Sequence, residues 1–269
     1  MAIEENSPPP RSDAYRRHYS RWHDDSDAHF EEMARGYERK LAGLLSPARA
    51  ISVLEIGCGP GFCLGGLRFL GIEAFEGIDA DAGQVQVARS RALPAEHVPV
   101  AQFQAFAEAH RSGFDAILMF DVLEHVPDAA RPAFLGQAWS MLKPGGRLIG
   151  QVPNANSIVA SRYRYIDATH HTSFTEASID FELYRAGFED IVVSEAEPIQ
   201  RPWLRSPRDI MRWALRRTLR HVLRRCYELE IGADAWSMPL SPNLLVTASR
   251  RLTTAEAAPQ VQYKTLQQR

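Results

Sequence analysis

With 269 residues, 45% of them apolar, the chain is long enough for one large domain or two small ones and can bury a substantial core. A net charge of −2 excludes a binder that reaches nucleic acid or membrane through overall charge. Cys58, Cys63 and Cys226 are odd in number and scattered, which points to a reducing compartment and offers no metal-ligand spacing. No apolar run reaches membrane-spanning length, and an N-terminus with Glu4, Glu5 and three prolines does not read as a signal peptide, so a cytoplasmic location is expected.

In chain order, residues 1–12 read as disordered. Residues 13–45 read as a helical cap carrying Tyr15, Tyr19, Trp22, Phe30, Met33 and Tyr37, the later ones at helical spacing. A pocket-covering role and plain packing are equally compatible with those aromatics. Residues 46–251 then alternate strand and helix patterns, which predicts a parallel sheet. The predicted strands are Ser52–Ile56, Ala74–Ile78 ending in Asp79, Val98–Gln102, Asp115–Phe120, Arg147–Val152 after the turn Lys143-Pro144-Gly145-Gly146, Asp190–Ser194 and Leu244–Ser249. Residues 198–242 read as a basic helical insertion before the last strand, and 252–269 as a flexible tail.

The first strand breaks into Gly57-Cys58-Gly59-Pro60-Gly61, and Leu64, Leu67 and Leu70 follow at helical spacing. Strand, glycine loop and helix in an open parallel sheet mark a ligand site outside the carboxyl end of the strand. A dinucleotide fingerprint needs a third glycine one place later, where Phe62 stands. Glu55 also directs an anion toward the loop, which suits a cationic amino-acid moiety better than a pyrophosphate. Asp79, about 20 residues beyond the first glycine, can accept hydrogen bonds from both hydroxyls of a ribose. That feature is shared with nicotinamide enzymes.

Glu55-x-Gly57-Cys58-Gly59-Pro60-Gly61 resembles the first motif of the class I S-adenosylmethionine-dependent methyltransferases. Phe114-Asp115-Ala116-Ile117, leading to Asp121-Val122-Leu123-Glu124-His125-Val126, resembles their fourth-strand motif, and Leu142-Lys143-Pro144-Gly145-Gly146 their fifth-strand entry. The resemblance covers about residues 50 to 195. It implies an α/β fold: a Rossmann-like, seven-stranded, mostly parallel sheet with helices on both faces. It also implies an S-adenosyl-L-methionine site formed by Glu55, Gly57, Cys58, Gly59, Gly61, Asp79, Ala80, Gln102, Phe103, Phe120 and Asp121. Within that set Glu55 orients the methionine amino group and Asp79 holds the ribose. Family members often place an aspartate near 102 or 103 against the adenine; this chain has Gln102 and Phe103.

Methyl transfer requires an acceptor held at about 3–3.5 Å and removal of its proton. Histidine is the side chain suited to that near neutral pH, and His125, His170 and His171 lie near carboxyl ends of strands. His125 is equally readable as a backbone-bonding residue. Pro153-Asn154-Ala155-Asn156-Ser157 and Asp167 through Thr175 resemble a pattern in bacterial methyltransferases of polysaccharide and glycoconjugate pathways, and are similar to ubiquinone-pathway O-methyltransferases. A hydroxyl of a sugar, polysaccharide or glycoconjugate is the expected acceptor. Thr175, with Ser178 three places on, reads as a helix cap. Asp121, Glu124 and His125 with His171 also resemble the magnesium site of small-RNA 2′-O-methyltransferases and some quinone-pathway enzymes. A metal-assisted enzyme acting on a quinone precursor or an RNA end is therefore the alternative. A cofactor-binding protein without catalysis and a nicotinamide oxidoreductase are the readings from other classes.

From Arg205 to Arg225 the insertion carries eight arginines with Asp209 its one acid, while Met211, Leu215, Leu219, Val222 and Cys226 share a helical stripe. A basic amphipathic helix of this kind suits an anionic membrane surface, so peripheral contact through 205–229 at the inner face of the membrane is expected. A packed helix with a solvated arginine face is the plain alternative. No RNA module accompanies it, so nucleic acid is not expected as a partner.

Overall fold

The computed structural model describes residues 21, 23–24, 26–45, 51–198 and 206–251. The expectations for 1–12 and 252–269, and those on Tyr15, Tyr19 and Trp22, lie outside them. The described elements run α1 (Asp27–Leu41), β1 (Ser52–Ile56), α2 (Phe62–Phe69), β2 (Ala74–Asp79), α3 (Ala82–Ser90), β3 (Ala95–His97), α4 (Phe103–Ala109), β4 (Phe114–Phe120), α5 (Arg131–Met141), β5 (Leu142–Pro153), α6 (Ala160–Tyr165), α7 (Glu176–Arg185), β6 (Glu189–Glu195), α8 (Pro207–Ile231) and β7 (Asn243–Ser249). The strands form one seven-stranded sheet in the order β3-β2-β1-β4-β5-β7-β6. β7 runs antiparallel to both β5 and β6, while β1, β4 and β5 are parallel neighbours.

One expected strand is corrected. Val98–Gln102 is not the third strand: β3 is the shorter Ala95–His97, and Val100–Gln102 forms a 3-10 turn leading into α4. Val100 is exposed, and the apolar pattern mistaken for a strand belongs to that turn and to Phe103 and Phe106 on α4.

The chain divides into two compact units. The first holds the described residues through Ile51 together with Gly57–Val100. Here α1 starts at Ser26, whose side chain accepts from the His29 amide. α1 lies close against α2 because Gly65 and Gly66 have no side chains. A Cβ on Gly65 would sit 2.7 Å from Phe30 Cζ, and one on Gly66 would sit 2.9 Å from the Glu38 backbone nitrogen. Phe30 meets Phe62 at 5.8 Å, so Phe30 of the expected cap serves helix packing within this unit.

The second unit holds Ser52–Ile56 and the described residues from Ala101 onward. β4 has buried Phe114, Ala116, Ile117, Leu118, Met119 and Phe120, the near-continuous apolar run of a parallel strand covered on both faces. β6 alternates half-buried and exposed residues, as an edge strand does. Asp115 ties three strands together, accepting from the Ser52 amide at 2.8 Å and from Lys143 Nζ at 2.7 Å. β5 begins earlier than expected, at Leu142. The glycine-containing stretch after it is where the β4–β5 register shifts, between Phe114↔Leu142 and Ala116↔Arg147.

Candidate active site

In the first unit the glycine loop is held by backbone bonds from β2. The Gly57 and Cys58 amides both donate to the Ile78 carbonyl, at 2.8 and 3.0 Å. The Gly61 amide donates to the Cys58 carbonyl at 2.9 Å and closes the turn. Gly61 has φ +88° and opens α2. A Cβ there would collide with Leu93 Cδ1 and lie 3.2 Å from the Ala88 Cβ, so glycine is required both by backbone and by space.

Asp79 ends β2 and faces this loop. Its Oδ2 accepts from the Gly59 amide and its Oδ1 from the Asp81 amide, each at 2.8 Å. Burial raises its pKa above the ordinary aspartate value in spite of those two bonds. A carboxylate has about four lone-pair sites, so two sites remain after the backbone bonds, which suits a vicinal diol. Ala80 receives a bond from the His97 ring at 3.1 Å, which places the proton on His97 Nε2. Asp81 caps α3 by accepting from the Gln84 amide at 2.9 Å. Neither Asp81 nor His97 was singled out from the sequence; a Ser/Asp cap immediately before a helical run is a signal that could have found Asp81.

The second unit carries the remaining candidates. Glu55 is buried on β1. Gln102 ends the 3-10 turn, and Phe103 is buried with its ring stacked on Phe134 at 4.8 Å. Phe120, buried, ends β4, and Asp121 follows with φ +56°. Asp121 accepts from Gln151 Nε2 at 3.0 and 3.2 Å, and its amide donates to the Gln151 carbonyl. A non-glycine residue kept in the left-handed region by such bonds is a feature that clusters at functional sites.

Beyond Asp121, a 3-10 turn over Leu123–His125 meets the segment after α6. The His171 amide donates to the Glu124 carbonyl at 2.7 Å and staples the two together. His125 and His170 lie edge to face at 4.6 Å. Thr169 is an anchor that sequence reasoning missed: its hydroxyl donates to Asp167 at 2.7 Å and faces His125 Nδ1 at 2.8 Å. With its one proton committed to Asp167, the hydroxyl accepts from His125, which puts the His125 proton on Nδ1. His170 Nδ1 lies 2.8 Å from the Tyr163 carbonyl, an acceptor only, so it too carries its proton on Nδ1. In its neutral form each ring therefore presents Nε2 as a lone pair.

The electrostatics separate these groups. His125 is lowered to about 4, first by burial and then by repulsion from His170, with Asp167 opposing. Glu124 is pushed well above the ordinary glutamate value, first by burial and then by the charge of Asp121. Its Oε2 is buried without a hydrogen-bond partner among the described residues. Ligand atoms of Glu124, His125 and His170 lie within 4.8 Å of one another. Of the expected metal set, Asp121, Glu124, His125 and His171, the structure gathers Glu124 and His125 but brings His170 rather than His171 to them. The side chain of Asp121 is engaged with Gln151 instead.

Other parts of the Pro153–Thr175 stretch are structural. Asn154 is fully buried, donating to the Pro239 and Ser241 carbonyls at 3.0 and 2.8 Å. Thr175 and Ser178 form the expected reciprocal cap of α7.

A family model described as a methyltransferase domain matches residues 27–193. The ubiquinone biosynthesis O-methyltransferase of Psychrobacter arcticus is 31% identical over 180 residues, 59% of this chain and 68% of that protein. That of Paramagnetospirillum magneticum is 39% identical over 115 residues, 41% of this chain; the chain thus spans 44% of that relative's length. Among solved structures, a SAM-dependent methyltransferase from Archaeoglobus fulgidus superposes with a TM-score of 0.59 at 17% identity, covering 80% of this chain and 94% of that one. One from Thermotoga maritima gives 0.54 at 17% identity, covering 88% and 97%. The fold, the glycine loop facing Asp79 and a family match over more than half of the chain agree: this protein belongs to the S-adenosylmethionine-dependent methyltransferase family.

Proposed function

We propose that this chain is an O-methyltransferase whose acceptor is a phenolic hydroxyl of a quinone-precursor type, with His170 as the general base. The observation that carries the proposal is the tautomer lock: the Tyr163 carbonyl holds the His170 proton on Nδ1 and leaves Nε2 as a proton acceptor. His125, lowered to about 4, is too weak a base for the task near neutral pH and takes a positioning role beside the His170 ring. S-adenosylmethionine supplies a methyl group already activated on a sulfonium. The chain's own part is to hold that cofactor through Asp79 and the glycine loop, to orient the acceptor and to take its proton.

Support for the acceptor comes from the relatives, which are named ubiquinone biosynthesis O-methyltransferases. The sugar or glycoconjugate hydroxyl expected from residues 153–175 has no counterpart in those names, and Asn154 and Thr175 of that stretch have structural duties. A labelled-methyl assay across catechol, oligosaccharide, sugar-nucleotide and RNA acceptors tests the assignment. Transfer to the catechol alone is expected; transfer to a sugar and not to the catechol overturns it. His170→Ala is expected to lower turnover by about 10²–10⁴ with S-adenosylhomocysteine affinity unchanged, and full turnover in that variant removes the base assignment.

The cluster of ligand atoms favours a second reading. One carboxylate oxygen and two imidazole nitrogens would suit a borderline divalent cation better than Mg²⁺, which prefers oxygen ligands. Such an ion would act as a Lewis acid on a bound diol, and the raised Glu124 carboxyl would have to lose its proton first. Activity that survives exhaustive chelation leaves the base reading and removes this one.

A further inference from the structure

α8 is built the wrong way round for a helix that only packs on its own domain. The face turned toward the protein is ionic: Arg220, 8% exposed, bonds Glu195 and the Glu197 carbonyl, and Arg224 approaches Glu195 at 3.7 Å. Glu195 in turn accepts from the Leu240 amide at 3.0 Å. Tyr227 reaches the Asn156 carbonyl from the same side. The apolar stripe lies opposite, with Met211 57%, Leu215 62%, Leu219 45% and Val222 51% exposed. At about 100° per residue, Arg208 and Arg212 fall on or beside that stripe, whereas Arg216, one turn before Arg220, lies toward the inner face. The acids of α8 fall only toward its ends, Asp209 in the first turn and Glu228 and Glu230 near the last.

We propose that the outer face of α8 docks on an anionic lipid bilayer, lying in the headgroup region with Leu215 and Leu219 inserted and the flanking arginines on lipid phosphates. Two features choose this occupant. An exposed stripe bordered by cations matches a surface that offers hydrocarbon below a layer of negative charge. A second copy of this chain offers no such layer along the stripe, because the acids of α8 stand only toward its two ends. The helix lies on the surface and does not span it, since no helix among the described residues is long and apolar enough to cross a membrane. Arg220 and Arg224, although part of the arginine count, serve the domain through Glu195 and not the bilayer. The inference concerns where the protein works and stands apart from the acceptor assignment.

Flotation of the full chain with vesicles tests it. Binding is expected to vesicles that mix phosphatidylglycerol with phosphatidylcholine, with little binding to phosphatidylcholine alone, and is expected to weaken between about 50 mM and about 500 mM salt. A double variant, Arg208→Glu with Arg212→Glu, is expected to weaken binding by roughly thirtyfold. Leu215→Asp with Leu219→Asp is expected to abolish it. All four positions are exposed, and an unchanged unfolding midpoint and S-adenosylhomocysteine affinity show that each variant folds. Equal flotation of wild type and variants overturns the proposal. So does a dimer, seen by light scattering, that the leucine variant alone dissociates, or salt-sensitive binding of an RNA oligonucleotide with no vesicle binding.

Discussion

Asp79→Asn is the sharpest probe of the glycine loop. The native carboxylate accepts the Gly59 and Asp81 amides, one on each oxygen, at 2.8 Å. An asparagine has one acceptor oxygen, so its amide must point at one of those two N–H donors. One hydrogen bond to a charged group is lost, worth about 1.5–3 kcal/mol. The remaining bond loses its charge assistance, and the lone pairs left for a ribose diol fall as well. S-adenosylhomocysteine affinity is expected to fall about 10- to 100-fold. The pH dependence gives an independent check. Burial raises the Asp79 pKa, so the cofactor-free carboxyl takes a proton at higher pH than a free aspartate. Hydroxyl donors favour the charged form, so wild-type affinity is present above that raised value and is lost as pH falls through it, beginning above about 4. The asparagine variant should be weak and flat across the same range. Titration calorimetry from pH 7 downward reads both. Wild-type affinity flat to pH 4, or an asparagine variant within twofold of wild type, would refute the reasoning.

Gly61→Ala should destabilise the loop by about 1–2 kcal/mol from its left-handed backbone alone, with the Leu93 collision adding to it; thermal unfolding and cofactor titration should both register the loss. His125 supplies a stability test whose sign follows from its lowered pKa. The folded protein keeps His125 neutral down to about 4 while the unfolded chain protonates it near 6.5, so stability rises with pH across that window and is lost as pH falls through it. Allowing for partial exposure, the contribution is about 1–3 kcal/mol, and His125→Gln should flatten that acid limb in urea unfolding followed between pH 4 and 7.

The elements that could be read from the sequence are those whose pattern is local. β1 and β4 announce themselves as apolar runs, and the glycine loop as a change of backbone demand between a strand and a helix. β3 was misplaced because three residues on a sheet edge carry no period, while the neighbouring turn and α4 carried a stronger apolar pattern. The candidate cofactor residues around the loop were placed close together for the same reason: they sit at fixed offsets within one βα unit. The histidine cluster was only half legible. His125, His170 and His171 were evident as residue types, but which two meet depends on the staple between the His171 amide and the Glu124 carbonyl. Thr169 and the Tyr163 carbonyl, which set the tautomers, act through positions that only the folded segment brings into reach.

α8 shows where periodicity stops informing. Its stripe of Met211, Leu215, Leu219 and Val222 was visible in the sequence, but the period alone left open whether the stripe faces a membrane surface or packs inward. The direction was decided instead by β6. Glu195 stands at the end of that edge strand with its carboxylate already bound to the Leu240 amide. A half-buried carboxylate requires a cation, and Arg220 and Arg224, one helical turn apart, supply two. Seating that ion pair turns the opposite side of the helix outward, so the apolar stripe is exposed as a consequence of satisfying a charge. A substitution that neutralises Glu195 therefore does more than remove a salt bridge: it removes the contact that holds the leucines of α8 outward. If the proposed docking holds, vesicle binding should then fall in Glu195→Gln, although that residue lies on the side of α8 opposite the exposed stripe.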